Sequence, residues 1–348
     1  MDIRPRLADR AVDRVTDHGG SLVQASALFP NAPTPFLDLS TGINPNPYPF
    51  SPLPASAVER LPEEADIAAL TEQAAAYYGA PSAAHVIAAP GTQLLLPLVA
   101  SLLEPGPARI LGPTYAEHAR AAALAGHTVE EVERFDALHG ARLAVAVNPN
   151  NPDGRLISRS ELLHLAENLR RNDGVLVIDE AFMDVGPQAE SLAGDVEAGN
   201  IVVLRSFGKF FGLAGLRLGF ALASRDVARK LSDWLGPWAV AGPALHAGLE
   251  ALSDRDWQST MRQELITARV RLDALFDDAG LSIETGTDLF RFLRHPRAAE
   301  LFDHLGRSGI LVRRFAERRD CLRIGLPGDD QAFERVRAAL ESWAGRDR

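Results

Sequence analysis

Short apolar runs alternate with stretches of helical periodicity through most of the chain. Apolar positions recur at helical spacing from Ala65 to Tyr78, and Gly79 then supplies a residue that can end a helix in the left-handed conformation. Beyond this helix the pattern predicts, in order, strands His85–Ala89 and Arg109–Leu111, helix Glu117–Ala125, strand Leu143–Val147, helix Arg159–Arg170, and strands Val175–Ile178 and Ile201–Leu204. Such alternation is typical of a largely parallel sheet with helices on its faces.

A second group of elements follows Gly219. The pattern predicts strand Phe220–Ala223, helical segments through Trp238, a long helix over Trp257–Ala279, strands Leu289–Leu293, Ile310–Val312 and Cys321–Ile324, and helices Ala298–Gly306 and Asp330–Trp343. We therefore expect a large domain over residues 49–235. A connecting helix and a smaller α/β domain are expected over residues 236–348.

Prolines recur throughout residues 30–62 and disfavour helix there. This stretch is expected to be extended and to cross a surface as an arm. We assign residues 1–48 to an N-terminal arm that contributes to the small domain and to an interface.

Composition narrows the possible partners. The 348 residues include 36 Lys and Arg against 46 Asp and Glu, so the formal net charge is −10, which argues against a nucleic-acid partner. The single cysteine, Cys321, excludes an internal disulfide and fits a reducing cytoplasm, and the nine histidines show no metal-binding spacing. The longest apolar run, Leu94–Leu103, is short and contains Pro97, so neither a membrane span nor a secretory signal is expected.

The segment from Ser206 to Arg217 carries the most informative residue, Lys209. A lysine amine becomes a useful nucleophile when burial or a nearby cation lowers its pKa, and here an apolar strand precedes it and Arg217 follows it. Ser206 and three glycines let the backbone approach a bulky anionic group closely. The pattern suggests that Lys209 holds an aldehyde cofactor, pyridoxal phosphate, as a Schiff base, although a lysine in a Gly-rich turn can also be a solvated loop residue.

Polar residues follow several other predicted strands. Because ligands bind beyond the carboxyl ends of parallel strands, these residues are candidates for a common site. Gly91, Thr92 and Gln93 can present backbone N–H groups and a hydroxyl to a phosphate, or Thr92 can simply cap a helix. Tyr115 can stack on a flat cofactor, or merely pack.

Three further candidates have equally plain alternatives. Asn151, in a turn rich in asparagine and proline, can present an amide, or can belong to a turn alone. Asp179 can hold a pyridinium nitrogen protonated, or cap a helix. Arg323, in an apolar strand, needs an anion, which a substrate carboxylate or a structural salt bridge would supply.

Together these residues resemble the fold-type I, aspartate aminotransferase-like pyridoxal phosphate enzymes over nearly the whole chain. The resemblance implies an α/β fold in which a large domain with a mostly parallel central sheet is followed by a smaller C-terminal α/β domain. It implies that Lys209 is the Schiff-base lysine, Asp179 pairs with the pyridine nitrogen and Asn151 bonds the phenolic oxygen. It assigns the phosphate to Gly91, Thr92, Gln93, Ser206 and Arg217, the ring to Tyr115 and the substrate carboxylate to Arg323. One departure is Phe182, where such families usually carry tyrosine.

The N-terminal residues favour one branch of this class. His18–Gly20 and the stretch Leu37–Tyr48 resemble the opening of the threonine-phosphate decarboxylase family of cobalamin biosynthesis. Phe182 also resembles that family, whereas Leu61 departs from the tyrosine with which histidinol-phosphate aminotransferases reach the partner subunit's cofactor. The resemblance implies decarboxylation of O-phospho-L-threonine to (R)-1-amino-2-propanol O-phosphate. A histidinol-phosphate-type aminotransferase and a catalytically silent relative remain the alternatives.

A phosphorylated amino-acid substrate needs donors beyond Arg323. The candidates are Arg313, His18 and the backbone around Gly42 and Asn44. Arg313 ranks first because it ends an apolar strand, while Arg314 is expected to point to the opposite face. Because active sites in this fold lie at the subunit interface, the resemblance also implies a homodimer.

Overall fold

The computed structural model describes residues 19–345, which fall into two compact units. One unit comprises residues 43–267 and 286–289; the other contains the described residues before 43, residues 268–285 and the chain from residue 290 onward. The changes of unit at 42–43 and 267–268 differ from the expected boundaries at 48–49 and 235–236. Helical periodicity marks a helix but not the unit against which it packs, so the second boundary falls inside a continuous helix.

The described residues form helices and strands in the following order. The first half contains α1 (Leu22–Leu28), β1 (Leu37–Leu39), α2 (Ser56–Glu59), α3 (Glu64–Tyr78), β2 (Val86–Ala89), α4 (Thr92–Ala100), β3 (Pro107–Leu111), α5 (Glu117–Leu124), β4 (Thr128–Val132), β5 (Leu143–Val147), α6 (Arg159–Arg170) and β6 (Val175–Asp179). The second half contains β7 (Ile201–Ser206), α7 (Phe207–Phe210), β8 (Gly219–Leu222), α8 (Arg225–Leu235), α9 (Gly242–Ser253), α10 (Arg255–Asp278), β9 (Ile283–Thr287), β10 (Phe290–Arg294), α11 (Ala298–Arg307), β11 (Ile310–Arg314), β12 (Cys321–Gly325) and α12 (Asp330–Ala344). Between residues 19 and 345, no helix has both the length and the apolar character needed to cross a membrane.

A seven-stranded sheet forms the centre of the larger unit, in the order β2-β8-β7-β6-β5-β3-β4. Its pairings are parallel except for those of β8, which runs antiparallel to both β2 and β7. The continuous apolar runs of β5 and β7 are buried, as expected for strands covered on both faces. The carboxyl ends of β2, β3, β5, β6 and β7 therefore meet at one edge, and the predicted α/β fold is confirmed.

Local sequence explains where several helices begin and end. Helix α3 ends at Gly79, whose φ of 79° is easily adopted only by glycine. Helix α6 begins with a reciprocal capping box between Ser158 and Glu161. The pattern did not predict strand β4, because Glu130 and Glu131 make this edge strand too polar to resemble a core strand.

The smaller unit is built around a five-stranded sheet ordered β1-β11-β12-β10-β9. Strand β1, from the proline-rich segment, pairs in parallel with β11 and forms one edge. Strand β9, which is partly exposed and mostly polar, was not predicted. Strands β11 and β12 are antiparallel, and their register sets Arg313 directly opposite Arg323, so both side chains leave the same face of the sheet.

A buried ion cluster joins β7 to the chain that follows β6. The fully buried guanidinium of Arg205 lies 2.7 Å from Oε2 of Glu180 and 2.9 Å from Oδ1 of Asp184, and 4.4 Å from the ring centroid of Tyr78. Burial raises the pKa of Glu180, and Arg205 opposes that shift. Since Glu180 directly follows Asp179, the cluster fixes the backbone that carries this predicted cofactor residue.

We predict that Arg205→Met lowers the free energy of unfolding by about 3–5 kcal/mol, because it leaves two buried carboxylates without their cation. Urea unfolding of the cofactor-free protein measures this change. The control is Arg159→Ala, which removes a half-exposed ion pair with Asp195 and should cost less than about 1 kcal/mol. Equal effects of the two substitutions would contradict the role of the cluster.

Candidate active site

A phosphate-sized cradle forms where β2, β7 and β8 meet. Gly91, with a φ of 85°, precedes helix α4, and a Cβ atom on it would lie 2.6 Å from Nη2 of Arg217. Gly219 pairs with Ser206, and a Cβ atom on Gly219 would lie 2.5 Å from the backbone nitrogen of Thr92. A guanidinium, two hydroxyl-bearing residues and the first N–H groups of a helix thus converge where side chains are excluded. This set of donors fits a phosphate monoester.

Asp179 ends β6 as a buried carboxylate in which each oxygen has a hydrogen-bond partner. Its Oδ2 lies 2.9 Å from Nε2 of His118, and its Oδ1 accepts the N–H of Ala181 at 3.0 Å. His118 is buried as well and was not singled out in the sequence. The sequence did offer one signal for His118, because it lies one helical turn after Tyr115, the residue expected to stack on the cofactor ring. The side chains of Tyr115 and His118 lie edge-on to each other, with ring centroids 6.0 Å apart.

Tyr115 is oriented by Gln93. The Tyr115 hydroxyl donates to Oε1 of Gln93 at 2.9 Å, and Nε2 of Gln93 donates to Glu117 at 2.7 Å. The side-chain amide of Gln93 therefore positions the aromatic ring. The group of Gln93 that remains a candidate for the phosphate is its backbone N–H, at the start of α4.

The asparagine-rich turn after β5 separates into structural and candidate residues. Asn148 exchanges two hydrogen bonds with the backbone of Ile157, and Asn150 donates to the carbonyl of Pro113. Asn151 is half-buried at the same strand end. It remains the candidate for the cofactor's phenolic oxygen.

Lys209 lies on α7, a helix of four residues that begins directly after β7. It is half-buried, and its Nζ lies 5.7 Å from the ring centroid of Phe182. Since phenylalanine has no hydroxyl, the ring at this position contributes an apolar surface beside the amine and no hydrogen bond.

Asn44 is expected to offer its backbone to the substrate, and its side chain is engaged within the protein. Its Nδ2 donates to the carbonyl of Phe210 at 2.8 Å, and its Oδ1 accepts the N–H of Asn46 at 2.9 Å. The residue is 2% exposed. Both ends of the amide are thus engaged within the protein.

In the smaller unit, Arg313 and Arg323 form a pair of like charges. Arg323 is buried, and its Nη2 donates to the carbonyl of Ser40 at 2.7 Å. Burial lowers the pKa of Arg323, the nearby Arg313 lowers it further, and Asp38 partly offsets both effects. Arg313 is half-buried, so a buried and a half-buried guanidinium lie on neighbouring strands and are the candidates for an anion site.

Ser40 is a residue of this region that the sequence did not single out. Its hydroxyl accepts the N–H of Gly20 at 2.7 Å and donates to Asp38 at 2.6 Å. A pocket of about 360 Å³ in the same unit is lined in part by Gly20, Ser40 and Arg313. Ser40 therefore holds the backbone of Gly20 in place at the wall of a pocket that also contains Arg313.

The remaining candidates from the sequence differ in placement. Gly42 is buried at the end of the first stretch of the smaller unit. The guanidinium of Arg314 lies 4.6 Å from the ring centroid of Phe302, and Arg314 lines the same pocket as Arg313. His18 lies outside the described residues.

The fold and these donor sets define the class of the protein. Residues 57–340 match the family Aminotransferase class I and II, and the chain belongs to this family. Over 331 residues it is 43% identical to a threonine-phosphate decarboxylase from a Sinorhizobium species, with 93% of this chain and 97% of the relative covered. Over 330 residues it is 31% identical to the histidinol-phosphate aminotransferase of Pectobacterium carotovorum, with 87% and 90% covered.

A solved structure with the same fold is the histidinol-phosphate aminotransferase of Sinorhizobium meliloti in complex with pyridoxal-5'-phosphate. It matches with a TM-score of 0.79 at 19% identity, covering 94% of this chain and 96% of that one. The expected family and fold are thereby confirmed.

We predict that Gly91→Ala weakens binding of pyridoxal phosphate about tenfold, because the new Cβ displaces a charged donor from the cradle. Absorbance titration of the cofactor-free protein measures the Kd. The matched control is Gly199→Ala, which has a similar positive φ of 92° but no heavy atom within 4 Å of the new Cβ. Equal losses of affinity in the two variants would assign the effect to backbone strain rather than to the cradle.

Proposed function

We propose that this chain is a pyridoxal phosphate-dependent decarboxylase. Its substrate is O-phospho-L-threonine and its product is (R)-1-amino-2-propanol O-phosphate, a precursor used in cobalamin biosynthesis. The observation that carries this choice is the 43% identity to a threonine-phosphate decarboxylase over nearly the full length of both chains. The identity to a histidinol-phosphate aminotransferase is lower, at 31%.

The residues of the site support the chemistry. Pyridoxal phosphate, when bound, accepts the electron pair that remains on the substrate Cα after a bond to it breaks. The cradle of Gly91, Thr92, Ser206 and Arg217 holds its phosphate, and Asp179 keeps its pyridine nitrogen protonated. His118 fixes the orientation of that carboxylate.

The arginine pair recognises the two anionic ends of the substrate. Arg323 binds the carboxylate and Arg313 the phosphate, because a guanidinium forms charge-assisted hydrogen bonds with either anion. The Cα–carboxylate bond breaks, CO₂ leaves, and a proton takes its place. Lys209 Nζ is the acid that delivers this proton to Cα.

An aminotransferase is the second candidate, because it would use the same lysine, aspartate and arginine. The 31% identity to a histidinol-phosphate aminotransferase favours it over any unrelated activity. The two reactions diverge in which Cα bond stands perpendicular to the cofactor ring: the bond to the carboxylate or the bond to hydrogen.

We expect the purified enzyme with pyridoxal phosphate to release CO₂ and an amine in equal amounts from O-phospho-L-threonine, with no 2-oxo acid added. Trapping CO₂ and quantifying the amine product measure this reaction. Turnover that begins only when 2-oxoglutarate is supplied would identify an aminotransferase instead.

Two variants serve as controls for this assay. Lys209→Ala should abolish turnover, and Arg323→Gln should raise KM at least about tenfold while the affinity for pyridoxal phosphate stays unchanged. Absence of CO₂ release by the wild-type enzyme loaded with cofactor would reject the proposal.

We also propose that the enzyme works as a homodimer. The exposed large apolar side chains of the larger unit include Leu53 (40%), Val58 (70%), Leu61 (63%) and Trp238 (58%). Helix α2 packs against the start of α9, where Gly242 leaves no room for a Cβ beside the carbonyl of Ala57. The packing of α2 on α9 brings Val58 near the segment that contains Trp238. An exposed apolar patch of this kind is typical of a surface that a second copy covers.

We predict that the double substitution Val58→Glu and Leu61→Glu converts the dimer to a monomer, because it places charges in an apolar interface. Sedimentation equilibrium measures the mass. The control Leu124→Glu changes a side chain that is 68% exposed on α5 and should leave the mass unchanged. A wild-type protein that sediments as a monomer would contradict the proposal.

A further inference from the structure

The turn that carries Lys209 is capped by a distant segment of the chain. Helix α7 is only four residues long, and within its turn the carbonyl of Lys209 accepts the N–H of Gly212 at a long 3.3 Å. The N–H of Asn44 donates to the carbonyl of Lys209 at 2.9 Å, and Nδ2 of Asn44 donates to that of Phe210 at 2.8 Å. The N–H of Tyr48 donates to the carbonyl of Phe211 at 2.9 Å. Three successive carbonyls are thus satisfied by residues 44–48.

The fit between the segment and the turn is close. A Cβ atom on Gly212, whose φ is 69°, would lie 2.7 Å from Cα of Pro47 and 2.8 Å from the carbonyl oxygen of Asn44. Asn46 donates its N–H to Oδ1 of Asn44, so the amide that caps the turn is itself held in one orientation. The glycine and the amide orientation together define a single arrangement of the two segments.

The capping segment is fastened on its other side to helices α9 and α10. The Tyr48 hydroxyl donates to Oδ2 of Asp254 at 3.2 Å, and its ring lies edge-on to Trp257 with centroids 5.0 Å apart. The N–H of Ser51 donates to Oε2 of Glu250 at 2.8 Å. The segment therefore acts as a rigid support rather than as a loose loop.

From these contacts we infer that Asn44 is a positioning residue for Lys209, an inference that rests on the proposed role of Lys209 in holding the cofactor. Asn44 makes two hydrogen bonds to the turn, one through its backbone and one through its side chain. The backbone bond survives substitution by any residue except proline, whereas the side-chain bond to Phe210 is lost in Asp and Ala, which offer no donor there. Removing that bond lets the short helix shift and with it the amine.

The test compares Asn44→Asp and Asn44→Ala with the wild type. Asp keeps the size and the acceptor for Asn46 but replaces the donor with an oxygen that faces the carbonyl of Phe210. The first readout uses the enzyme loaded with pyridoxal phosphate and no substrate, and follows the pH at which the absorbance of the cofactor bound to Lys209 changes. We expect this midpoint to shift by about half a pH unit or more in both variants.

The second readout separates positioning from substrate binding. With O-phospho-L-threonine, kcat should fall about tenfold or more while KM changes little, because the lysine is misplaced and the arginine pair is untouched. The matched control is Asn46→Ala, which removes the neighbouring amide and keeps the backbone N–H that bonds Asn44. It should behave as the wild type in both readouts.

Gly212→Ala provides a second variant, because its Cβ would meet Pro47 and the carbonyl oxygen of Asn44 while the side chain of Asn44 is kept. It should shift the absorbance midpoint in the same way, and circular dichroism confirms that each variant is folded. Wild-type midpoints in folded Asn44→Asp and Gly212→Ala would overturn the inference. Loss of CO₂ release in the wild type with a normal midpoint would instead reject only the proposed substrate and reaction.

Discussion

The reversal of one strand is the constraint on which the site depends. Strand β8 runs antiparallel between β7 and β2, and its first residue, Gly219, pairs with Ser206 on one side and Ala89 on the other. The carboxyl ends of the parallel strands β2 and β7 are thereby separated by one strand, β8. The start of α4 lies against Gly219, which has no side chain. A larger residue at position 219 would meet the backbone of Thr92. The cradle and the start of the turn that carries Lys209 both follow from this pairing.

Residues that the sequence identified are those whose role follows from their position along the chain. Asp179 and Asn151 follow buried strands, and Lys209 follows β7, so the parallel topology alone brings them to one edge. His118 and Ser40 have no such marker, because His118 meets Asp179 across 61 positions of sequence and Ser40 meets Gly20 across 20. The amide of Asn44 shows the same limit: its bond to Phe210 spans 166 positions of sequence. Strands β4 and β9 escaped prediction because solvent at a sheet edge removes the apolar alternation on which such prediction relies.

Two kinds of polar burial serve different purposes in the larger unit. The cluster around Arg205 sets one guanidinium between two carboxylates, and its effect on the site passes through the backbone after Asp179. The contact between Asp179 and His118 instead places a carboxylate at the sheet edge, with one oxygen bonded to the imidazole and the other to the backbone. The first arrangement fixes a scaffold and the second directs a functional group. The two arrangements use adjacent residues, since Glu180 belongs to the Arg205 cluster and Asp179 to the contact with His118. Successive side chains of an extended chain point to opposite sides of a sheet.

The acidic edge strand β4 restricts how the chain can assemble. An open sheet edge offers unpaired backbone groups to any other extended chain, and proteins that must avoid such pairing place charges there. Glu130 and Glu131 are both exposed on this edge, so a second copy approaching edge to edge would set like charges against each other. Association through extended backbone is therefore disfavoured, whereas helix faces and apolar side chains stay available. Glu130 and Glu131, which prevented the prediction of β4 from the sequence, thus also disfavour the addition of further strands to this edge of the sheet.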